Sequence, residues 1–181
     1  MNFTLDEGEK NLLKKIARDT LYEAVINSKK FEVDATEFSP SLKINVGAFV
    51  TLYKNKQLRG CIGTFEPKEP LYEVIRNMSI SSAFHDTRFN PVSKDELDDI
   101  EIEISVLTPR KKINSLDEII IGKHGIYIQK GSRGGTYLPH VATQMGWNVE
   151  EFVKSCALEK AGIGLDEIQD ADIFIYESII F

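Results

Sequence analysis

Leu58-Arg59-Gly60-Cys61-Ile62-Gly63-Thr64-Phe65 puts a guanidinium two residues from a thiol, with glycines on both sides of that thiol. Glycine inside a strand or helix costs roughly 0.5–1 kcal/mol relative to alanine, so two this close indicate a backbone that needs room or unusual angles. The alternating run Val46 to Tyr53 precedes the motif and reads as a strand. Asn55 and Lys56 supply a turn, so the motif lies on the returning arm of a hairpin. With side chains alternating along a strand, Arg59, Cys61 and Gly63 are expected to share one face.

Outward from the hairpin, Thr4 with Glu7 matches a capping box. Behind it Leu12, Leu13, Ile16, Ala17, Leu21, Ala24 and Val25 recur at helical spacing, predicting an amphipathic helix. Phe31 to Leu42 is polar and reads as a loop. Downstream, Pro67 and Pro70 open a helix whose buried face is Leu71, Val74, Ile75 and Met78. The small residues Ser79, Ser81, Ser82 and Ala83 predict that its end lies tight against the sheet. It runs into Phe84-His85-Asp86-Thr87-Arg88-Phe89, which sets a histidine, an acid and a base between two phenylalanines.

Ser93 and Glu96 repeat the capping pattern, and Ile100, Ile102, Ile104 and Val106 alternate with Glu101, Glu103 and Ser105 as a half-exposed strand. A second hairpin is expected from His124–Ile128 and Thr136–Leu138, joined through Gly131-Ser132-Arg133-Gly134-Gly135. Those glycines link two strands and do not lead into a helix, so they read as a turn and not as a phosphate loop. Helices follow from Pro139 to Met145 and from the Asn148–Glu151 cap to Gly162. Ile173 to Phe181 is apolar on both faces and is expected to be one central strand. The predicted class is α+β, a mostly antiparallel sheet flanked by helices. Residues 1–181 read as a single domain of two unequal lobes, the larger holding both termini and the main sheet, the smaller built from the middle helices, with a cleft between them.

With 22 Lys and Arg against 28 Asp and Glu, the net charge of −6 argues against nucleic-acid binding through bulk charge. No apolar run approaches the roughly 20 residues that span a bilayer, and the N-terminus has no secretory pattern. Cys61 and Cys156 lack paired spacing, which predicts two reduced thiols and a cytoplasmic location. Cys61, His85, Asp86, His124 and His140 show no zinc-type spacing, so no metal and no cofactor are expected.

The run Leu58–Gly63 with Ala83-Phe84-His85-Asp86-Thr87-Arg88-Phe89 resembles the AMMECR domain family, which includes protein A of the AmmeMemoRadiSam system. The likeness extends through Leu138-Pro139-His140-Val141-Ala142 and Glu159-Lys160-Ala161-Gly162, and so covers nearly the whole chain. It departs from the family pattern at Thr87, where proline is usual, at His140, where glutamine is more typical, and after Gly162, where a tryptophan is often found. The resemblance implies a two-lobed α+β domain with the cysteine motif near the lobe interface, and no settled biochemical activity. It also implies Memo-type and radical-SAM proteins as partners.

Two chemistries suit these residues. A cation near a cysteine raises its thiolate fraction, so Cys61 with His85 and Asp86 would form a nucleophile, base and orienting acid. Alternatively Arg59 and Arg88 would clamp a small anionic ligand, a phosphate or carboxylate, with Gly60, Gly63 and Thr64 beside them and Phe84 and Phe89 as an apolar wall. A nucleotide or RNA ligand on the same arginines is a weaker alternative. The plain structural reading has Cys61 filling a tight strand and Arg59 paired with Asp86.

Overall fold

Asp6 starts the first helix, α1 (Glu7–Asn27). Its Oδ1 accepts from the Glu9 N–H at 2.8 Å, and Glu9 Oε2 accepts from the Asp6 N–H at 2.8 Å. The capping box therefore lies two residues beyond the expected Thr4–Glu7 pair, and Glu9 gains further partners there, the hydroxyls of Ser39 and Ser41. Leu13, Ile16, Ala17 and Leu21 form the buried stripe. Each large apolar side chain so buried contributes roughly 1.5–3 kcal/mol.

The computed structural model describes residues 3–181, and the chain divides into two units. The first runs up to Leu107 and takes in Ile179–Phe181; the second is Thr108–Ser178. In the first unit β1 (Ala48–Lys54) and β2 (Gln57–Thr64) form the expected hairpin. Asn55 and Lys56 hold φ of 52° and 62°, the left-handed values that a two-residue turn matched to strand twist requires. The helix α2 (Leu71–Phe84) and the strand β3 (Ile100–Leu107) follow. Val50, Leu52 and Ile104 sit in one core with Leu13, Leu21, Leu71 and Ile75, so both helices cover the same face of the sheet.

The second unit contains β4 (Lys111–Lys112), β5 (Gly125–Lys130), β6 (Arg133–Tyr137), α3 (Pro139–Met145), α4 (Val149–Ser155) and β7 (Asp172–Tyr176). α4 continues through a π-type turn at Cys156–Ala161 and stops at Gly162, φ 64°. Ile126, Ile128, Phe152 and Ile163 centre a second, separate core.

The α+β class with antiparallel strands holds, but the strands form two sheets and not one. Their orders are β2-β1-β3-β8 and β4-β7-β5-β6, where β8 is Ser178–Ile180. The single strand expected over Ile173–Phe181 is thus two. The break falls at Glu177, the one charged residue of the run, whose N–H donates to Thr108 Oγ1 and whose carbonyl accepts from the Thr108 N–H. Beyond it, Phe181 exchanges backbone hydrogen bonds with Ile104 of β3. Each half of the run serves a different sheet, so apolar faces on both sides did not signify one central strand.

Candidate functional site

The geometry around Cys61 begins with packing. β2 is an edge strand, and Gly60 lies against the end of α2: a Cβ there would meet the Ser82 carbonyl oxygen at 2.2 Å. The glycine and the small residues Ser79, Ser82 and Ala83, all buried, let helix and strand touch. The Ser82 hydroxyl accepts from the Ile62 N–H at 2.9 Å and donates to the Val50 carbonyl at 2.7 Å, bridging the β1–β2 ladder. Gly63 opposes Phe49, whose ring would meet an added Cβ at 2.2 Å. Thr64 closes the strand opposite Ala48.

The register of the hairpin moves Arg59 off the face of Cys61. Leu52 pairs with Gly60 and Tyr53 with Leu58, which leaves Arg59 as the extra residue of a β-bulge. Its guanidinium makes a two-pronged contact with Glu96, Nε to Oε1 at 3.0 Å and Nη2 to Oε2 at 2.9 Å, and Lys54 joins the same carboxylate at 3.1 Å. The Arg59 side chain is 14% exposed, and its Nη1 is buried without a partner among the described residues. Arg59 therefore faces the protein and pairs with Glu96, not with Asp86. Glu96 itself caps the turn at Ser93. That cap was legible in the sequence as Ser93–Glu96; its second role was not.

Asp86 and Arg88 occupy the open edge of β2. Asp86 Oδ2 accepts from the Cys61 N–H at 2.9 Å, and Arg88 Nη2 donates to the Cys61 carbonyl at 3.3 Å. The two side chains hold one another, Arg88 Nε to Asp86 Oδ1 at 2.9 Å and Nη2 to Oδ2 at 2.7 Å. An edge strand presents unpaired N–H and C=O groups that another chain could pair with; at Cys61 an ion pair takes both. Because the main chain of Cys61 points outward, Thr51 and Cys61 form a non-hydrogen-bonded pair, the kind whose side chains come closest. Thr51 Oγ1 lies 3.2 Å from the thiol.

Phe84 packs against the first core, and His85 caps α2 as an exposed residue. Its imidazole makes no hydrogen bond among the described residues, so Asp86 does not orient it. The Phe89 ring lies 5.5 Å from Arg88 Cζ. The structure thus brings Cys61, Asp86, Arg88 and Phe89 together, adds Thr51 and Ser82, and sends Arg59 elsewhere. Among the described residues no three His, Cys, Asp or Glu are grouped to hold a metal ion.

The hydrogen bonds from Arg88 hold the Asp86 carboxyl well below the usual carboxylate range, and those from Arg59 do the same for Glu96. A carboxylate whose pKa is depressed on folding adds stability above its unfolded value, near ~4, and loses it as pH falls toward the folded value. Stability measured by urea unfolding is therefore expected to decline steeply below pH ~4, and Asp86→Asn is expected to flatten that decline.

The sequence profile of the AMMECR1 family matches residues 14–181. The chain belongs to the AMMECR1 family. A protein of Nanoarchaeum equitans is 37% identical over 178 residues, 93% of this chain and 97% of that one. One from Methanopyrus kandleri is 38% identical, spanning 98% of this chain and 89% of its own. The crystal structure of an uncharacterized protein from Pyrococcus horikoshii matches with a TM-score of 0.75 at 34% identity, covering 93% of this chain and 88% of that one. Within this AMMECR1-family chain no helix among the described residues is long and apolar enough to cross a membrane.

Proposed function

We propose that this AMMECR1-family chain is a binding module that takes a small anionic group, a phosphate or carboxylate, on Arg88 beside Cys61, and that Cys61 is not a catalytic nucleophile. The observation that carries this reading is the division of the Arg88 guanidinium. Nε and Nη2 are committed to Asp86 and Cys61, while Nη1 makes no hydrogen bond among the described residues and the side chain is 56% exposed. A guanidinium fixed on one edge and free on the other offers an anion a preset donor at little cost in side-chain entropy. Phe89 supplies an apolar neighbour. Against a nucleophile stands the thiol's own partner, a hydroxyl, and among the described residues no imidazole is bonded to it. A role delivering a ligand to Memo-type or radical-SAM partners, implied by the resemblance, fits such a module, and two free cysteines suit a reducing cytoplasm.

Titration with inorganic phosphate, followed in amide NMR spectra, tests this. Saturable shifts at Cys61 and Arg88 that vanish in a folded Arg88→Gln variant are expected. Shifts that do not saturate, or that persist in Arg88→Gln, would overturn the reading.

Alkylation separates the two thiols. Cys156 is fully buried and burial pushes its thiol up to about 12, so it is expected to react with iodoacetamide only on unfolding. Cys61 is half-buried and is expected to react in the native state, no faster than a free thiol. Reaction many times faster than a free thiol would favour the nucleophile.

A further inference from the structure

The second unit holds a groove that the Cys61 site does not use. It measures about 580 Å³, within the range of sites that take small organic molecules. Ile113, Val153 and Ile168 lie along its floor, with Ile113 and Val153 almost completely buried. Leu116 and Leu165 stand at its lip, 37% and 53% exposed, although each is large enough to be worth burying. The groove runs between the chain leaving β4, the helix α4 and the 3-10 turn Leu165–Asp170, all of which belong to Thr108–Ser178.

Its charged lining is what selects an occupant. In a chain of net charge −6 the lining itself carries two lysines, Lys112 and Lys154, against one acid, Glu150; Asp172, which meets Lys112, stands outside the lining. Among the described residues both lysines are held only by exposed ion pairs. Lys112 meets Asp172 at 2.6 Å with the two side chains 54% and 55% exposed, and Lys154 meets Glu150 at 3.3 Å with 55% and 73%. Pairs this wet contribute little and exchange readily for another anion. An uncharged apolar ligand would leave these lysines unused, and an amine would have only Glu150 in the lining to pair with.

We infer that this groove is a second ligand site, for an amphipathic monoanion whose apolar chain lies over Ile113, Val153 and Ile168 and whose carboxylate pairs with Lys112 and Lys154. The site is independent of Arg88 and Cys61, so it stands or falls apart from the phosphate reading.

The test is a titration of the full chain with octanoate, followed by amide NMR spectra, with 1-octanol in parallel. Expected are saturable shifts confined to the residues around Ile113, Val153 and Ala171, with octanoate binding tighter than octanol. Lys112→Ala with Lys154→Ala is expected to weaken octanoate roughly fivefold to tenfold and leave octanol unchanged, since each exposed pair is worth only a few-fold. Both lysines are exposed, so the double variant is expected to fold, which its amide spectrum checks. Ala171→Trp, which fills the groove from its lining, is expected to abolish binding of both ligands. Octanoate shifts that are absent or spread over the whole chain would overturn the proposal, as would octanol binding equally well or an affinity indifferent to the two lysines. Groove signals that move only with protein concentration would assign the groove to a second copy of the chain, and would also overturn it.

Discussion

Gly60→Ala is expected to lower stability by roughly 3 kcal/mol or more, the upper range for forcing atoms into a packed interior. The added methyl would sit 2.2 Å from the Ser82 carbonyl oxygen and 3.1 Å from the Ser82 carbonyl carbon. Both are helix backbone, so no rotamer change can relieve the clash. The end of α2 would have to lift from β2, and that lift would also pull the Ser82 hydroxyl out of its bridge between Ile62 and Val50. Gly131→Ala is the informative comparison. Gly131 has φ of 59° but nothing within 4 Å of an added Cβ, so only the left-handed penalty of about 1 kcal/mol applies. Urea unfolding of the two variants should separate them by about 2 kcal/mol; equal values would mean that the helix does not press on Gly60.

Asp86→Ala is the second large effect. The carboxylate is 4% exposed and accepts from the Cys61 N–H, the Arg88 N–H and two nitrogens of the Arg88 guanidinium. Removing it strands a strand-edge N–H and leaves Arg88 unheld, which is expected to cost roughly 2–3 kcal/mol. The full cost of breaking a buried pair does not apply, because the arginine is 56% exposed and water can take over its donors. For the same reason Arg88→Ala is expected to cost only about 1 kcal/mol. The inequality between partners is the signature of a carboxylate that serves the backbone first. Urea midpoints of Asp86→Ala, Asp86→Asn and Arg88→Ala measure it, and equal losses for the two alanine variants would show that the ion pair alone mattered.

Local signals in the sequence read well where one element decided the outcome. The Asn55-Lys56 turn, the Asn148–Glu151 cap and the stops at Gly146 and Gly162 depend on neighbours in the chain, and each is present. The small residues at the end of α2 announced a close approach to the sheet, and the contact falls at Gly60. What failed needed distant information. Apolarity of Ile173–Phe181 could not reveal a break that depends on Thr108, some seventy residues away. Alternation placed Arg59 beside Cys61, but one bulged residue sent it to Glu96. The dense segment Phe84–Phe89 was rightly joined to the motif, yet its roles were redistributed. Asp86 and Arg88 bind main chain, which side-chain chemistry alone does not suggest, and His85 stands outside the set.

The phosphate titration repeated on Cys61→Ser bears most directly on whether the site binds through Arg88, held in place by the Cys61 main chain, or acts through its thiol. Serine keeps the N–H and C=O that Asp86 and Arg88 hold, so phosphate affinity should stay within about twofold of the parent chain. Loss of the phosphate response in a Cys61→Ser variant that remains folded would contradict this and give the thiol the central role.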